Sequence, residues 1–395
     1  MNDNPVNSSS TIGTRIDWVD NSCRLLQATR AEFADTQPFA GLSIGMAIHL
    51  EPKTAALIVT LAGGGAEIIA TGNLNSTQPK TEEYLKSLGI NIIGHQTKDA
   101  SVHDGFLNQI ISRQPDLLLD NGGDLFTLYI DHPYEGLLGG TEETTSGRMR
   151  LVPLRKRINK PVLVINDSPI KQFAENYHAV GQSALESVIR FTNRVTNGRR
   201  VTVIGYGACG MGVAANFRNA YSIVSVIDTD PVTLLRANLD GFLTPERDEA
   251  IATADVIITV TGSPNVLTAD DLPLLKNEVV LANLGHFPQE IEVEGIETSG
   301  QIKKSVVYED EIITWELTDG RCIHLLARGH MANLAGPRPL GNSIESMDLG
   351  FTLQARCLEA VARGKVDSKH CVVPVPHEID SLVASSYLNL VRSGK

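Results

Sequence analysis

One stretch constrains the fold of this chain more than any other. Val201-Thr202-Val203-Ile204 leads directly into Gly205-Tyr206-Gly207-Ala208-Cys209-Gly210, and a second apolar run, Ile223–Ile227, ends in Asp228. The first run is β-branched and short, the pattern of a buried strand. Gly205 allows the tight turn that follows, Gly207 lets backbone approach a pyrophosphate, and Gly210 lets helix and strand pack closely. The helix behind the turn offers unpaired N–H groups and a positive dipole end to phosphates. Asp228 lies about 20 residues beyond the glycines, where a carboxylate receives a ribose 2′-hydroxyl. An ordinary turn with three glycines is the plain alternative. The order strand, turn, helix, strand and acid weighs against it. An acid at 228 favours NAD over NADP.

Charge and composition exclude several classes. The net charge is −12 and no basic stripe appears, which argues against a nucleic-acid partner. Hydrophobic residues make up 42% of the 395, enough for well-cored domains, two or three at this length. No apolar run reaches the roughly 18 residues of a membrane span. The start, MNDNPVNSSSTIG, lacks the basic and apolar regions of a signal peptide. The five cysteines are scattered without zinc or redox spacing, so no metal site is expected and the chain reads as cytoplasmic, with reduced thiols.

Taken in order, the chain alternates strands and helices. Residues 1–13 are polar and read as frayed, and 14–36 have helical character. Leu42–Ile48 reads as a strand ending at His49, and a helix starts at Pro52. Strands follow at 66–70, 90–93, 117–120 and 162–167. Ala184–Asn197 reads as a connecting helix. Beyond Asp228, strands are expected at 256–260 and 279–283, with a hairpin turn at Thr318-Asp319-Gly320-Arg321. A long helical stretch runs from about 342 to 363, and the remainder is mostly polar. This is an α/β chain with parallel sheets: a substrate-binding domain at 1–183, a Rossmann NAD-binding domain at 184–341, and a C-terminal helical segment, 342–395, returning to the first.

Several segments together resemble the S-adenosylhomocysteine hydrolase family. They are Gly140-Thr-Glu-Glu-Thr-Thr-Ser-Gly147, Asn166-Asp-Ser168 with Lys171 and Asn176, the glycine turn at 205–212, Asn283-Leu-Gly-His-Phe287, and Leu325–Gly329 followed by Asn333-Leu334. The resemblance implies a nucleoside substrate, tightly held NAD, a homodimer or homotetramer, and an internal redox cycle. The ribose 3′-hydroxyl is oxidised, the C4′ proton becomes acidic, the 5′ substituent leaves, water adds, and the ketone is reduced again. It also implies residue roles. Glu143 binds the ribose hydroxyls and Lys171 assists deprotonation of the 3′-hydroxyl, which needs burial or a nearby cation to lower its pKa. Asn176 lies between nicotinamide and ribose, and His49 is the acid/base near C5′. Thr144, Thr145 and Ser146 contact the nicotinamide, Asn333 the carboxamide, and Asn283 joins the cofactor set. His286 and Phe287 form a gate, with Thr77 and Met347 in the substrate set.

The chain also departs from that family. Asn121 stands where the family has a second acid, and asparagine exchanges no proton at neutral pH. Glu51 and Lys53 occupy the places of a threonine and a glutamate or glutamine near the base. Gly341-Asn342 replaces a Gly-His, Glu175 an aspartate, and no equivalent of the family's C-terminal lysine and tyrosine is visible before Lys395. These changes imply altered base recognition and proton delivery. The expected activities are therefore a hydrolase of the family type, or a nucleoside dehydratase or lyase that leaves an exocyclic alkene. A non-catalytic NAD-binding regulator and a simple dehydrogenase releasing NADH are the remaining alternatives.

Overall fold

The computed structural model describes residues 13–309, 311–336 and 339–394. Two seven-stranded sheets organise them. The first contains Ser43–Ala47 (β1), Glu67–Thr71 (β2), Asn91–Ile92 (β3), Leu117–Asp120 (β4), Gly139–Glu142 (β5), Val162–Val164 (β6) and, from the far end of the chain, Cys371–Pro374 (β14). All its pairings are parallel, in the order β14-β6-β5-β4-β1-β2-β3. The second contains Arg200–Ile204 (β7), Ile223–Ile227 (β8), Val256–Thr259 (β9), Val279–Asn283 (β10), Ile302–Tyr308 (β11), Ile312–Leu317 (β12) and Cys322–Leu326 (β13). Its order is β11-β12-β13-β10-β9-β7-β8, with β11 and β12 antiparallel to their neighbours. The unbroken apolar runs of β4 and β6 reflect coverage on both faces, as parallel sheets require.

The strand orders place two crevices. In the first sheet β1 and β4 are neighbours, but their successors run outward in opposite directions. In the second, β7 and β9 do the same. Such reversals leave open ground at the carboxyl ends of the strands, where α/β proteins bind ligands.

The Asp319-Gly320 hairpin joins β12 to β13 as expected, with Gly320 at φ +90°. The helix Ile344–Ala362 carries Phe351, Leu353 and Leu358 into the same core as Ile44 and Leu119 of the first sheet and Leu57 of the helix Pro52–Gly63. Beyond it the structure corrects the expectation of a mostly polar end. A four-residue strand, β14, extends the first sheet, and the helix His377–Ser393 follows. A strand so short, closed by Pro374, has too little periodicity to be read in a sequence. The frayed start expected for residues 1–13 lies, but for Gly13, outside the described residues. Strand β5 shows no strand pattern in the sequence because it begins with two glycines. Both are needed: a Cβ would lie 2.3 Å from the Pro161 carbonyl oxygen at Gly139 and 1.8 Å from that of Leu118 at Gly140. Among the described residues, no helix is long and apolar enough to cross a membrane.

Candidate active site

The two crevices face each other and form one cavity of about 750 Å³. His49 follows β1 and Asn121 follows β4 on one wall. Gly207 follows β7 and Val260–Gly262 follow β9 on the other.

Three buried charges lie on the first wall. Lys171 Nζ is 2.8 Å from Glu143 Oε1 and 2.7 Å from Glu175 Oε1. Lys171 and Glu175 sit four residues apart on Lys171–Ala179, a π-helical stretch that runs into the helix Val180–Thr192. Wide turns of this kind are frequent at functional sites. Gln354 Nε2 donates to the other Glu143 oxygen at 2.6 Å. Glu175 Oε2 has no partner and faces Gly350, where a Cβ would lie 2.9 Å away. Burial opposes the Lys171 charge, but the two carboxylates outweigh it and hold the ammonium above its ordinary pKa. The expectation of a lysine lowered to act as base is thereby corrected. Burial, opposed by Lys171 and reinforced by Glu143, raises the Glu175 pKa, which suits this carboxylate to accept a proton.

His49 is the neutral member of the site. Burial first, then the neighbouring His286, push its pKa down to about 4, with Glu143 opposing and Lys171 adding to the shift. Its Nδ1 is buried without a partner. Asn121 takes a hydrogen bond on Oδ1 from Asn73 Nδ2 at 2.9 Å, so only its N–H₂ end remains to donate. Behind it, Glu142 is fully buried. It accepts from the N–H groups of Gly122, Gly123 and Thr144 at 3.1, 3.0 and 2.7 Å and so pins the loop after β4 to the loop after β5. His286 and the half-exposed Phe287 stand edge to face at the mouth, with ring centroids 5.1 Å apart.

The second wall fits a dinucleotide. Gly205 has φ +101°, and a Cβ on Gly210 would lie 1.9 Å from the Gly205 carbonyl oxygen, so helix and turn close as the motif requires. A Cβ on Gly207 would meet nothing within 4 Å, leaving room before the helix Ala208–Asn219. Asp228 accepts from Tyr206 N at 2.8 Å and Asp230 N at 3.0 Å, and its carboxylate keeps further lone pairs for hydroxyls. Asn333 borders the cavity with a buried, unpartnered Oδ1, an acceptor suited to a carboxamide N–H₂. Thr144 caps the helix Thr145–Leu151. Ser146 Oγ lies 3.0 Å from its hydroxyl, and Asn166 ties Thr145 (2.7 Å) to Asn176 (3.0 Å).

The remaining expected residues divide. Glu51 and Lys53 border the cavity as a buried pair 2.8 Å apart, with Lys53 also donating to the Leu340 carbonyl at 3.0 Å. Met347 lines the same wall. Asn342 reaches the cavity too, but both ends of its amide are engaged, by Ser183 at 3.2 Å and Glu175 at 3.3 Å. Thr77 lies outside the cavity, filling the space above Gly72. Asn283 also stays outside. Its side chain is saturated by Thr259, Gly285, Phe287 and Gly329, and its carbonyl holds Ala332 N at 2.9 Å, which fixes the loop bearing Asn333. Gln354, Ser183 and Asn166 also serve the site, through Glu143, Asn333 and Thr145, without a signal in the sequence that marks them for these contacts. Gln354 shows in sequence only as one of several polar residues in the helix Ile344–Ala362.

The chain matches two family models: "S-adenosyl-L-homocysteine hydrolase" over residues 8–135, and its "NAD binding domain" over residues 176–338. It is 36% identical over 381 residues to the adenosylhomocysteinase of Thermotoga maritima, covering 95% of this chain and 93% of that protein. It is 34% identical over 381 residues to the S-inosyl-L-homocysteine hydrolase of Methanothermobacter thermautotrophicus, covering 95% and 90%. Likeness of this extent spans both sheets and the cavity between them, and from it and the dinucleotide-shaped wall it follows that this chain is an NAD-dependent enzyme belonging to the S-adenosyl-L-homocysteine hydrolase family.

Proposed function

We propose that this enzyme performs oxidation and elimination on the ribose of a purine nucleoside carrying a 5′-thioether, with addition of water to complete hydrolysis. The observation that supports it best is the buried Glu143–Lys171–Glu175 cluster beside a neutral His49 at one end of an NAD-shaped cleft. NAD, when bound, supplies a reversible two-electron acceptor for the ribose 3′-carbon. The chain's residues do the rest. Glu175 accepts the 3′-hydroxyl proton while Lys171, held as a cation, donates to the oxygen on which negative charge develops. The resulting ketone makes the C4′–H acidic. Loss of that proton to a base expels the 5′ sulfur with its bonding electron pair, leaving a C4′–C5′ alkene. His49 then accepts a proton from the water whose oxygen bonds to C5′ while C4′ regains a proton, and Glu175 gives its proton back to the 3′-oxygen, the hydride to C3′ being what the bound cofactor would return to restore the ribose.

The protonation state of His49 sets the order of readings. A thiolate leaves without being protonated. Hydroxide does not, and a histidine with a pKa of about 4 holds no proton to give near neutrality. The dehydratase that stops at an exocyclic alkene is therefore the second reading. Asn121, which has no acidic proton to share with His49, weighs against it in the same way. The test is to incubate NAD-loaded enzyme in D₂O with S-adenosylhomocysteine, its inosyl counterpart and 5′-hydroxyl nucleosides, and to analyse the products by mass spectrometry and NMR. Free homocysteine supports the hydrolase. A dehydrated nucleoside without thiol release moves the dehydratase to first place. NADH accumulating in turnover would refute both.

A further inference from the structure

We propose that Ser183 is a positioning residue that sets the orientation of two amides, Asn333 at the cofactor's seat and Asn342 against the catalytic carboxylate Glu175. Ser183 does not border the main cavity. It lines a separate chamber of about 120 Å³ behind it, on the helix by which the chain first crosses from one sheet to the other. Asn342 lies where the chain crosses back. Ser183 is 3% exposed and Asn333 4%, so neither relies on solvent to complete its hydrogen bonds.

The argument rests on what one hydroxyl can do. Asn333 Nδ2 donates to Ser183 Oγ at 3.1 Å. Ser183 Oγ lies 3.2 Å from Asn342 Oδ1, and the Val180 carbonyl at 3.2 Å shares its single proton. Asn342 Nδ2 then reaches Glu175 Oε1 at 3.3 Å, the oxygen that also takes Lys171 at 2.7 Å. Because the hydroxyl accepts on one side and donates on the other, it imposes a direction. Asn333 must turn Oδ1 to the cavity, where it waits unpartnered for a donor. Asn342 must turn its N–H₂ toward Glu175. A flipped Asn342 would set a carbonyl oxygen against a buried carboxylate, which burial penalises strongly. The seat of the carboxamide and the proton acceptor are thus set by one buried side chain that touches neither ligand.

Two readouts test this, the second of which rests on the function proposed above. The first is NAD binding to the whole chain by calorimetry. Ser183→Ala should fold normally and bind NAD about 5-fold more weakly, the equivalent of one ordinary hydrogen bond. Ser183→Thr should return to within about twofold, because it keeps the hydroxyl. If Ser183→Ala does not fold, Ser183→Cys, with nearly the same volume and a weak donor, takes its place and should show the same loss. Unchanged NAD affinity, or a threonine variant as weak as alanine, would overturn the assignment. The second is the pH dependence of cofactor reduction when substrate is added to NAD-saturated enzyme. Glu175 loses a donor to its charged form in Ser183→Ala, so the midpoint should move upward. An unmoved midpoint overturns the link to Glu175. Should the unaltered enzyme reduce no cofactor with any nucleoside, the proposed function fails while the NAD affinities still decide the role of Ser183.

Discussion

Replacing Lys171 by methionine isolates the electrostatics of the site. The ammonium lies 2.8 and 2.7 Å from two carboxylates, and all three side chains are less than a tenth exposed. At an effective dielectric of about 20, each pair attracts by about 6 kcal/mol. Taking three ions out of water costs several kcal/mol apiece, so the intact cluster contributes little net stability. Removing only the cation keeps the desolvation cost of two carboxylates and discards the attraction. The expected loss is about 3–5 kcal/mol at pH 8. The loss has a pH signature. Without Lys171, both folded-state carboxyl pKa values rise above their unfolded values of about 4.3. The variant is then most stable where both are protonated and loses stability as pH rises through the folded values, by up to about 1.4 kcal/mol per pH unit for each proton involved. Urea unfolding at pH 5.5 and 8 should therefore show a small deficit at the lower pH and a large one at the higher. Adding Glu143→Gln and Glu175→Gln to the methionine variant should recover most of it, since a neutral cluster leaves no charge unpaired. A deficit of the same size at both pH values, or no recovery on neutralisation, would refute this account of the site.

Three further outcomes follow from other features. Asp228→Ala should weaken NAD binding about tenfold and narrow the preference over NADP, measured by parallel titrations with both dinucleotides. Gly212→Ala would place a Cβ 1.9 Å from the Tyr177 carbonyl oxygen, pushing the glycine-turn helix off the π-helical stretch. Its unfolding midpoint should fall by about 1–3 kcal/mol in stability, and an unchanged midpoint would contradict the tight contact. His49 and Asp120 should oppose each other in pH dependence. His49, pushed down to about 4, contributes stability that is complete above its unfolded pKa of about 6.5 and is lost as pH falls through 4. Asp120, raised to about 7 by burial and then Asp124, contributes stability that is complete below about pH 4 and is lost as pH rises through 7. Asp120→Asn should therefore make the protein more acid-sensitive between pH 7 and 4 than the unaltered chain, as read by denaturation at both ends of that window.

What could be read from the sequence was whatever a local pattern carries. The glycine turn, the strands at 201–204 and 223–227, the acid at 228 and the hairpin at 319–320 depend on neighbours in the chain, and all were legible. So was the set His49, Glu143, Lys171, Glu175 and Asn333, because their surrounding strings are long. What escaped depends on contacts distant in sequence. Gln354 meets Glu143 211 residues away, and Ser183 meets Asn342 159 residues away. Asn283 and Thr77 mislead for the opposite reason. Each stands next to a motif, yet each side chain is turned into the protein by hydrogen bonds or packing that the sequence does not display. The direction of the Lys171 pKa is not legible in the same way, because Glu143 and Glu175 can be named from their strings while their contacts with the ammonium, at 2.8 and 2.7 Å, depend on the fold.

Proton supply connects these departures. An acid beside His49 would hold the imidazole charged and let it protonate a poor leaving group. Here burial keeps the imidazole neutral, with His286 and Lys171 adding to the shift and Glu143 opposing it, and Asn121 on the same cavity wall, its Oδ1 accepting from Asn73, brings no further charge. Under the proposed function the site would hold a base on both sides of the ribose, Glu175 toward the 3′-oxygen and His49 toward C5′, and would favour substrates whose 5′ substituent departs as a stable anion. On this argument, restoring an acid at 121 should do more than tune the rate. Asn121→Asp should raise the His49 pKa toward neutrality and increase turnover of 5′-hydroxyl nucleosides relative to 5′-thioethers. Competition between the two substrate types for one enzyme sample measures that ratio directly. If the ratio stays where it was while the His49 pKa, followed by NMR, moves up, then proton supply is not what sets the leaving group, and selection must lie in the shape of the wall formed by Glu51, Lys53 and Met347.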